Sequence, residues 1–230
     1  MPVVVNGVNM GHDEQVTTPK TAPRARYHHG DLRNAMMDSA VELARTGGPE
    51  AVVLREVARR VGVSATAAYR HFSDAEALLD EVKQSALAVL ADTLVAKVGA
   101  VPTDGDPGDV AVAQVRAAAN AYIDFAIDQA GLFMTAFCRT TVPGEEYHGA
   151  PFIETDAYRA LGALLDQLVA TGRMPAERRP GADIAAWSVV HGFALLMVGG
   201  PLERHLSDEE QAFVRERTLD LVIRGLIGSE

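Results

Sequence analysis

Cysteine occurs once in 230 residues, as Cys138, so no internal disulfide is available, and no set of Cys or His residues has the spacing of a zinc site. Tryptophan also occurs once, and Phe, Trp and Tyr together make up only 6% of the chain. No stretch alternates strictly between apolar and polar residues, so half-buried strands are not expected. The longest uncharged apolar run, 184–202, is interrupted by Trp187, Ser188, His191 and Gly192. A spanning helix needs about 20 predominantly apolar residues, so no membrane association is expected. Val3, Val4 and Val5 follow no basic segment and extend into no apolar h-region, so no export signal is read and the cytoplasm is the expected compartment. There is no Gly-rich phosphate loop, no Gly-x-Ser-x-Gly, no paired-His motif and no acid pair in an apolar setting. Neither enzymatic activity nor a cofactor nor a metal is expected.

What the chain does have is apolar bulk and uneven charge. Apolar residues make up 48%, enough for a sizeable core in one large or two small domains. The net charge of -10 taken alone argues against nucleic acid as a partner. Yet residues 20–72 hold nine basic and five acidic residues, a local surplus of +4, while residues 73–230 hold 12 basic and 24 acidic ones. Such a division suits a chain of which one small part meets a polyanion and the rest must not.

Apolar residues recur at helical spacing throughout, so the expected fold is all-α, with about nine helices. Residues 1–26, with Pro2, Pro19, Pro23 and no periodicity, read as a disordered arm. Asp31 is placed to cap a first helix that ends at Gly47 and Gly48. A short helix follows over 54–61, stopped by Gly62, and another, capped by Ser64, ends near His71 and Phe72. Ser73 or Asp74 opens a long helix that runs to about Val98, closed by the Pro- and Gly-rich run 99–108. Further helices are expected near 109–129, 132–139, 152–171, 182–199 and 207–227. The domains divide as 27–73, two short helices behind a leading one, and 74–230, a larger helical body.

Residues 54–72 are the informative segment. Two short helices joined by three or four residues cross steeply, so the first needs a small residue at the crossing and the turn needs one that accepts positive φ; Ala58 and Gly62 meet those needs. Val57, Val61, Val63, Ala68 and Phe72 then fall inward. Ser64, Ala65, Thr66, Tyr69 and Arg70 are left on the outer face of the second helix, where a helix-turn-helix presents side chains to a major groove.

The stretch 27–79 resembles the DNA-binding domain of the tetracycline-repressor (TetR) family of transcriptional regulators. Tyr27-His28-His29-Gly30-Asp31-Leu32-Arg33, Tyr69-Arg70-His71-Phe72, and Trp187 with His191-Gly192 are similar to the subgroup whose C-terminal domain carries a Trp, His, Gly signature. The resemblance implies a homodimer that reads a double-stranded DNA operator and answers to a small-molecule effector. It places Arg55, Ser64, Thr66, Tyr69, Arg70 and His71 at the DNA, with Ala65 on the same face. Three positions depart from the family's habit: Val53 stands where Ser or Thr caps the second helix, Ala75 where a Lys meets phosphate, and Ala68 where this subgroup often has proline. Affinity is therefore expected to lean on Arg55, Tyr69, Arg70 and His71 and on the arm's Arg24, Arg26, His28 and His29. Arg59 and Arg60 are read as solvating the outer face of their helix or as DNA contacts.

The C-terminal two-thirds reads as a ligand-binding and dimerisation core. Residues 182–199 are apolar nearly all round, and 207–227 carry an apolar stripe beside charge. Val190, Leu195, Leu219, Val222 and Leu226 are the interface candidates. Tyr122, Phe125, Phe133, Phe137, Tyr158, Trp187 and His191 are candidates for a pocket wall and equally for core. Cys138 reads as an inert buried thiol. The function expected is that of a repressor released from a palindromic operator by a small lipophilic effector. The rival readings are a helical enzyme and a helical protein-protein or small-molecule-binding module whose DNA-binding face has degenerated.

Overall fold

The computed structural model describes residues 29–138 and 154–228. The expected arm, Arg26 and His28 lie outside the described residues, as do Arg139 and Phe152 at the expected ends of two helices. The described residues are all-helical, with ten α-helices and no strand. Helix α1 spans His29–Gly47, α2 Leu54–Val61, α3 Ala65–Ala68 and α4 Ala75–Gly99. Then come α5 Pro107–Asp128, α6 Ala130–Phe137, α7 Asp156–Ala170, α8 Ala182–Met197, α9 Pro201–His205 and α10 Asp208–Ile227.

Most boundaries follow from capping chemistry. The Asp74 carboxylate accepts the N–H of Ala77 and opens α4, that of Asp106 accepts those of Gly108 and Asp109 and opens α5, and the Thr155 hydroxyl accepts that of Tyr158. Ser207 and Glu210 form a reciprocal capping box at the start of α10. The first and third helices differ from expectation. Helix α1 begins at His29, so Asp31 lies within its first turn instead of capping it. Regular α-helix in α3 stops at Ala68, because the chain tightens there: the N–H groups of Arg70 and His71 bond three residues back, to Ala67 and Ala68, and Phe72 is buried at 2% exposure. The short α9, opened by Pro201, was not foreseen and brings the described helices to ten where about nine are expected.

Helices α1 to α3 enclose a small core of Met36, Ala40, Val57, Ala58, Ala68 and Phe72, which Leu78 and Val82 of α4 complete. Arg33 ties α1 to α4 by an ion pair with Glu81 and to the end of the helix-turn-helix by stacking its guanidinium 5.0 Å from the centre of the Phe72 ring. From there α4 runs 25 residues, about 37 Å at the helical rise, into the larger body, where it packs on α5, α6 and α7. Helix α8 packs on α5 and α10. Ala121 and Ala126 of α5 are fully enclosed in this second core.

A second junction between the two bodies lies at Gly131, in the first turn of α6. A Cβ there would stand 2.2 Å from the carbonyl oxygen of Ala44 and 2.4 Å from that of Arg45, both in the last turn of α1. Only a residue without a side chain allows this backbone-on-backbone approach. Gly131→Ala forces α6 away from α1 and is expected to cost roughly 1–3 kcal/mol, as overpacking does, at about 2–4 °C of Tm per kcal/mol for a chain of this size. A thermal melt indistinguishable from the parent's would show that α6 does not bear on α1.

Candidate nucleic-acid interface and interior cavity

The turn between α2 and α3 has the geometry its sequence predicts. Gly62 adopts φ 77°, the Val63 N–H returns to the Ala58 carbonyl at 2.9 Å, and Ala58, at 1% exposure, sits under the crossing. Val57, Ala68 and Phe72 are buried, and Val61 and Val63 are half-buried against the same core. The Ser64 hydroxyl caps α3 by accepting the Ala67 N–H at 3.2 Å. On the outer side Ser64, Thr66, Tyr69 and Arg70 are exposed, Tyr69 at 50% despite its size, with Arg55 exposed on α2. Ala65 and His71 are half-buried beside them, and His29 opens α1.

The arginines of α2 are not equivalent. Arg59 and Arg60 both bond Glu56, at 2.7 and 3.2 Å, and these guanidiniums, Arg59 first, hold the Glu56 carboxyl at about 2. Their charge is shared with a carboxylate. Neither Arg55 nor Arg70 forms an ion pair with any described residue, so these two carry undivided charge on the exposed face. Val53 stands at the N-cap of α2 with no side-chain cap, and Ala75 is exposed between Asp74 and Glu76 at the start of α4.

At the far end of α4 the body holds a cavity of about 400 Å³, partly open to solvent. Its walls come from one face each of the end of α4, with Leu94 and Val98, of α5, with Val115 and Tyr122, and of α7, with Leu161 and Leu164, closed by α8 and by Val222 of α10. No lining side chain is charged. Three of the seven residues expected as pocket wall, Tyr122, Tyr158 and Trp187, line it. Phe125 and Phe133 do not; they are core, at 3% and 0% exposure. Phe137 and His191 stand behind the wall, His191 against Phe137 at 4.7 Å between ring centres, edge on. The residues sequence reasoning missed are the small and aliphatic ones, Ala118, Ala119, Ala160, Leu161 and Ala163, whose lack of bulk makes the space. Alanines fill many cores as well, and nothing in their spacing separates a lined void from a packed contact.

Trp187, Tyr122 and His191 form one hydrogen-bonded chain. The Trp187 indole N–H donates to the Tyr122 hydroxyl oxygen at 3.2 Å, and that hydroxyl lies 2.7 Å from His191 Nδ1. With the proton of the neutral His191 on Nε2, Tyr122 donates to Nδ1 and its phenol hydrogen is satisfied inside the protein. Burial pushes the Tyr122 phenol up and the His191 imidazolium down, which keeps both groups neutral. Burial likewise raises the Cys138 thiol, the direction of an unreactive cysteine.

The surface of α8 and α10 divides the five interface candidates. Val190, Leu219 and Leu226 are buried in the subunit's own core at 7%, 1% and 7%, Val222 lines the cavity, and Leu195 is exposed. A helix apolar all round gives no sign of which side its own subunit covers. The side left open carries Ala185, Val189, Gly192 and Leu196 of α8, beside Leu221 and Gly225 of α10. A Cβ at Gly192 or Gly225 would meet nothing within 4 Å. A mid-helix glycine costs roughly 0.8–1 kcal/mol against alanine, and nothing in the subunit requires either.

Two family models match the chain: "Bacterial regulatory proteins, tetR family" over residues 36–82 and "Tetracyclin repressor-like, C-terminal domain" over residues 115–221. The chain thus carries an N-terminal and a C-terminal domain of the tetracycline-repressor family. It is a DNA-binding transcriptional regulator. A protein of unknown function from Rhodococcus sp. RHA1 is 27% identical, with a TM-score of 0.69 over 89% of this chain and 100% of that one. The TetR family regulator PfmR from Thermus thermophilus is 21% identical, with a TM-score of 0.55 over 83% and 98%. RolR, solved with resorcinol, is 16% identical, with a TM-score of 0.55 over 84% and 87%. A search of curated proteins finds no match. No helix among the described residues of this regulator is long and apolar enough to cross a membrane.

The neutral His191 gives stability a pH dependence of definite sign. The folded site lowers its pKa below the ordinary 6.5, so on acidification the unfolded chain takes up the proton first. The contribution is intact above pH 6.5 and is lost as pH falls toward the lower folded value. Thermal melts from pH 7.5 to 5.5 should show the parent losing Tm more steeply than His191→Gln; equal slopes would mean the imidazole is not held neutral.

Proposed function

We propose that this regulator is a repressor that binds a palindromic operator as a homodimer and is released by a small lipophilic effector seated in the interior cavity. The observation that carries the reading is the uncharged 400 Å³ cavity whose wall includes the end of α4, the same rod whose start adjoins the helix-turn-helix. A molecule that fills the space displaces α4 relative to α5 and α8, and α4 bears on α1 through Arg33 and Glu81. Tenfold release requires the effector to favour the non-binding arrangement by about 1.4 kcal/mol, a small share of what one apolar ligand gains on burial.

On this reading the exposed Arg55, Ser64, Thr66, Tyr69 and Arg70 face DNA, with Ala65, His71 and the N-terminal Arg26, His28 and His29 beside them. Arg59 and Arg60, already shared with Glu56, contribute least. The two open glycines and the apolar stripe around them support α8 and α10 as the dimer seam, since a partner helix crossing closely there would account for both. Leu221, Val189 and Leu196 then take the roles first assigned to Leu219, Val190 and Leu226. Trp187 and His191 converging on Tyr122, with Gly192 following, support placement in the Trp, His, Gly subgroup. The cytoplasm is the compartment that suits a DNA reader.

Gel shifts against the DNA upstream of the protein's own gene test the DNA face. Affinity should fall steeply with salt, Tyr69→Ala should weaken all sequences alike, Arg70→Ala should cost about 1–3 kcal/mol mainly at one position of the site, and Ala75→Lys should tighten binding. A folded protein with no affinity for DNA, or affinity indifferent to salt, would sink the reading.

Light scattering tests the seam. The parent should run at twice 24.5 kDa, and Leu221→Asp should give the single-subunit mass together with loss of operator binding. A parent that is already a single subunit at micromolar concentration would overturn it.

A further inference from the structure

The chemistry of the cavity wall specifies more about its ligand than lipophilicity, provided the cavity is the effector site proposed above. Four lining side chains are polar: Tyr122, Tyr158, Trp187 and Gln167. The Trp187 N–H is taken by the Tyr122 oxygen, and the Tyr122 hydrogen by His191 Nδ1. The Asp183 carboxylate lies near the Tyr158 hydroxyl, whose pKa is raised by desolvation and by that charge. Both hydrogens at the Tyr122–Trp187 contact, the phenol's and the indole's, are committed inside the protein. A phenol oxygen has two lone pairs. Trp187 occupies one on Tyr122, which leaves an acceptor site there. Gln167, which can both give and accept, is exposed.

We infer that the cavity selects a neutral, largely apolar molecule bearing a hydrogen-bond donor, such as a phenol or an alcohol, over an isosteric ketone or ether, with Tyr122 as the residue that reads the donor. A ligand O–H meets the unspent lone pair on Tyr122, whereas a ligand carbonyl meets there an oxygen with no hydrogen to offer. Charged ligands meet no counter-charge among the lining residues. The Tyr122 node also places the contact where a ligand is felt beyond the wall, because His191 and Phe137 stand directly behind it.

Calorimetric titration of the full-length protein with 2-naphthol, 2-methoxynaphthalene and naphthalene reads this directly. For one probe, the ratio of parent to variant affinity cancels that probe's own cost of leaving water. Tyr122→Phe should weaken 2-naphthol roughly three- to tenfold, the worth of one hydrogen bond, and leave naphthalene unchanged. The same variant removes no donor that 2-methoxynaphthalene could use, so that probe should hold its affinity. Should Tyr122→Phe lose its helical circular dichroism, the ultraviolet difference spectrum of 2-naphthol bound to the parent decides instead, a red shift marking an O–H that donates. If 2-methoxynaphthalene weakens as much as 2-naphthol, if a folded Tyr122→Phe leaves 2-naphthol unweakened, or if bound 2-naphthol shows no red shift, the inference is wrong while the cavity reading stands. If naphthalene itself does not bind the parent, the effector cavity falls and this inference with it.

Discussion

The Tyr122 hydroxyl is the point on which the larger body turns. It sits on α5 and bonds Trp187 and His191, four residues apart on one face of α8, so one atom fixes two adjoining turns of a neighbouring helix. Phe133 and Phe137 of α6 pack against the same ring, at 5.8 and 6.2 Å between centres. Three helices thus meet at a phenol whose polar end is satisfied and whose apolar end is enclosed. A buried hydroxyl without those partners would cost more than the bonds gain, so Trp187 and His191 are needed by Tyr122 as much as they need it. The cavity exists beside this node because the node supplies bulk on one side while alanines supply none on the other.

The same node lies close to a mechanical path toward the DNA-reading end. Helix α6, which carries Phe133 and Phe137, has in its first turn the glycine that meets carbonyls of the last turn of α1. A shift of α6 along its own axis has no side chain there to deform, since the contact is backbone against backbone. The α4 rod offers a second path, anchored to α1 by the Arg33 pair with Glu81. On the proposed reading a ligand disturbs both paths at once, because the cavity touches α4 directly and Tyr122 touches α6. Packed interfaces of this kind shift between discrete arrangements more readily than they deform, which is how a small displacement is carried over the length of a domain.

The elements with strong local rules were legible in the sequence. Gly62 with Ala58, the Ser64 cap, the start of the last helix at Ser207 and the apolar period of α4 each state their structure within a few residues. Helix α9 was invisible because five residues carry no period. The division of α8 into covered and open sides was invisible for a different reason: when apolar residues lie all round a helix, periodicity has no direction to report. Val190 and Val189 are neighbours of the same type, and only the packing of α5 and α10 makes one core and the other surface. The cavity shows the same limit more sharply. Tyr122, Tyr158 and Trp187 were singled out for size and polarity, yet the void is made by what Ala118, Ala119, Ala160 and Ala163 lack.

The arginines of α2 explain how an acidic chain presents a DNA-reading face without indiscriminate attraction. Of the cations on that helix, Arg59 and Arg60 spend their charge on Glu56, while Arg55 and, beyond the turn, Arg70 do not. Asp74 and Glu76 at the start of α4 place further negative charge at the edge of the face. Nonspecific affinity grows with the number of phosphates neutralised, so every cation withdrawn lowers it for all sequences equally. Contacts to base edges are not lowered in the same proportion, because they depend on the fit of individual side chains such as Arg70 and not on the summed field. An interface with few unshared charges on a body of opposite sign therefore trades total affinity for discrimination, which suits a regulator that must leave its site when a modest free energy is supplied from a cavity about 30 Å away along α4.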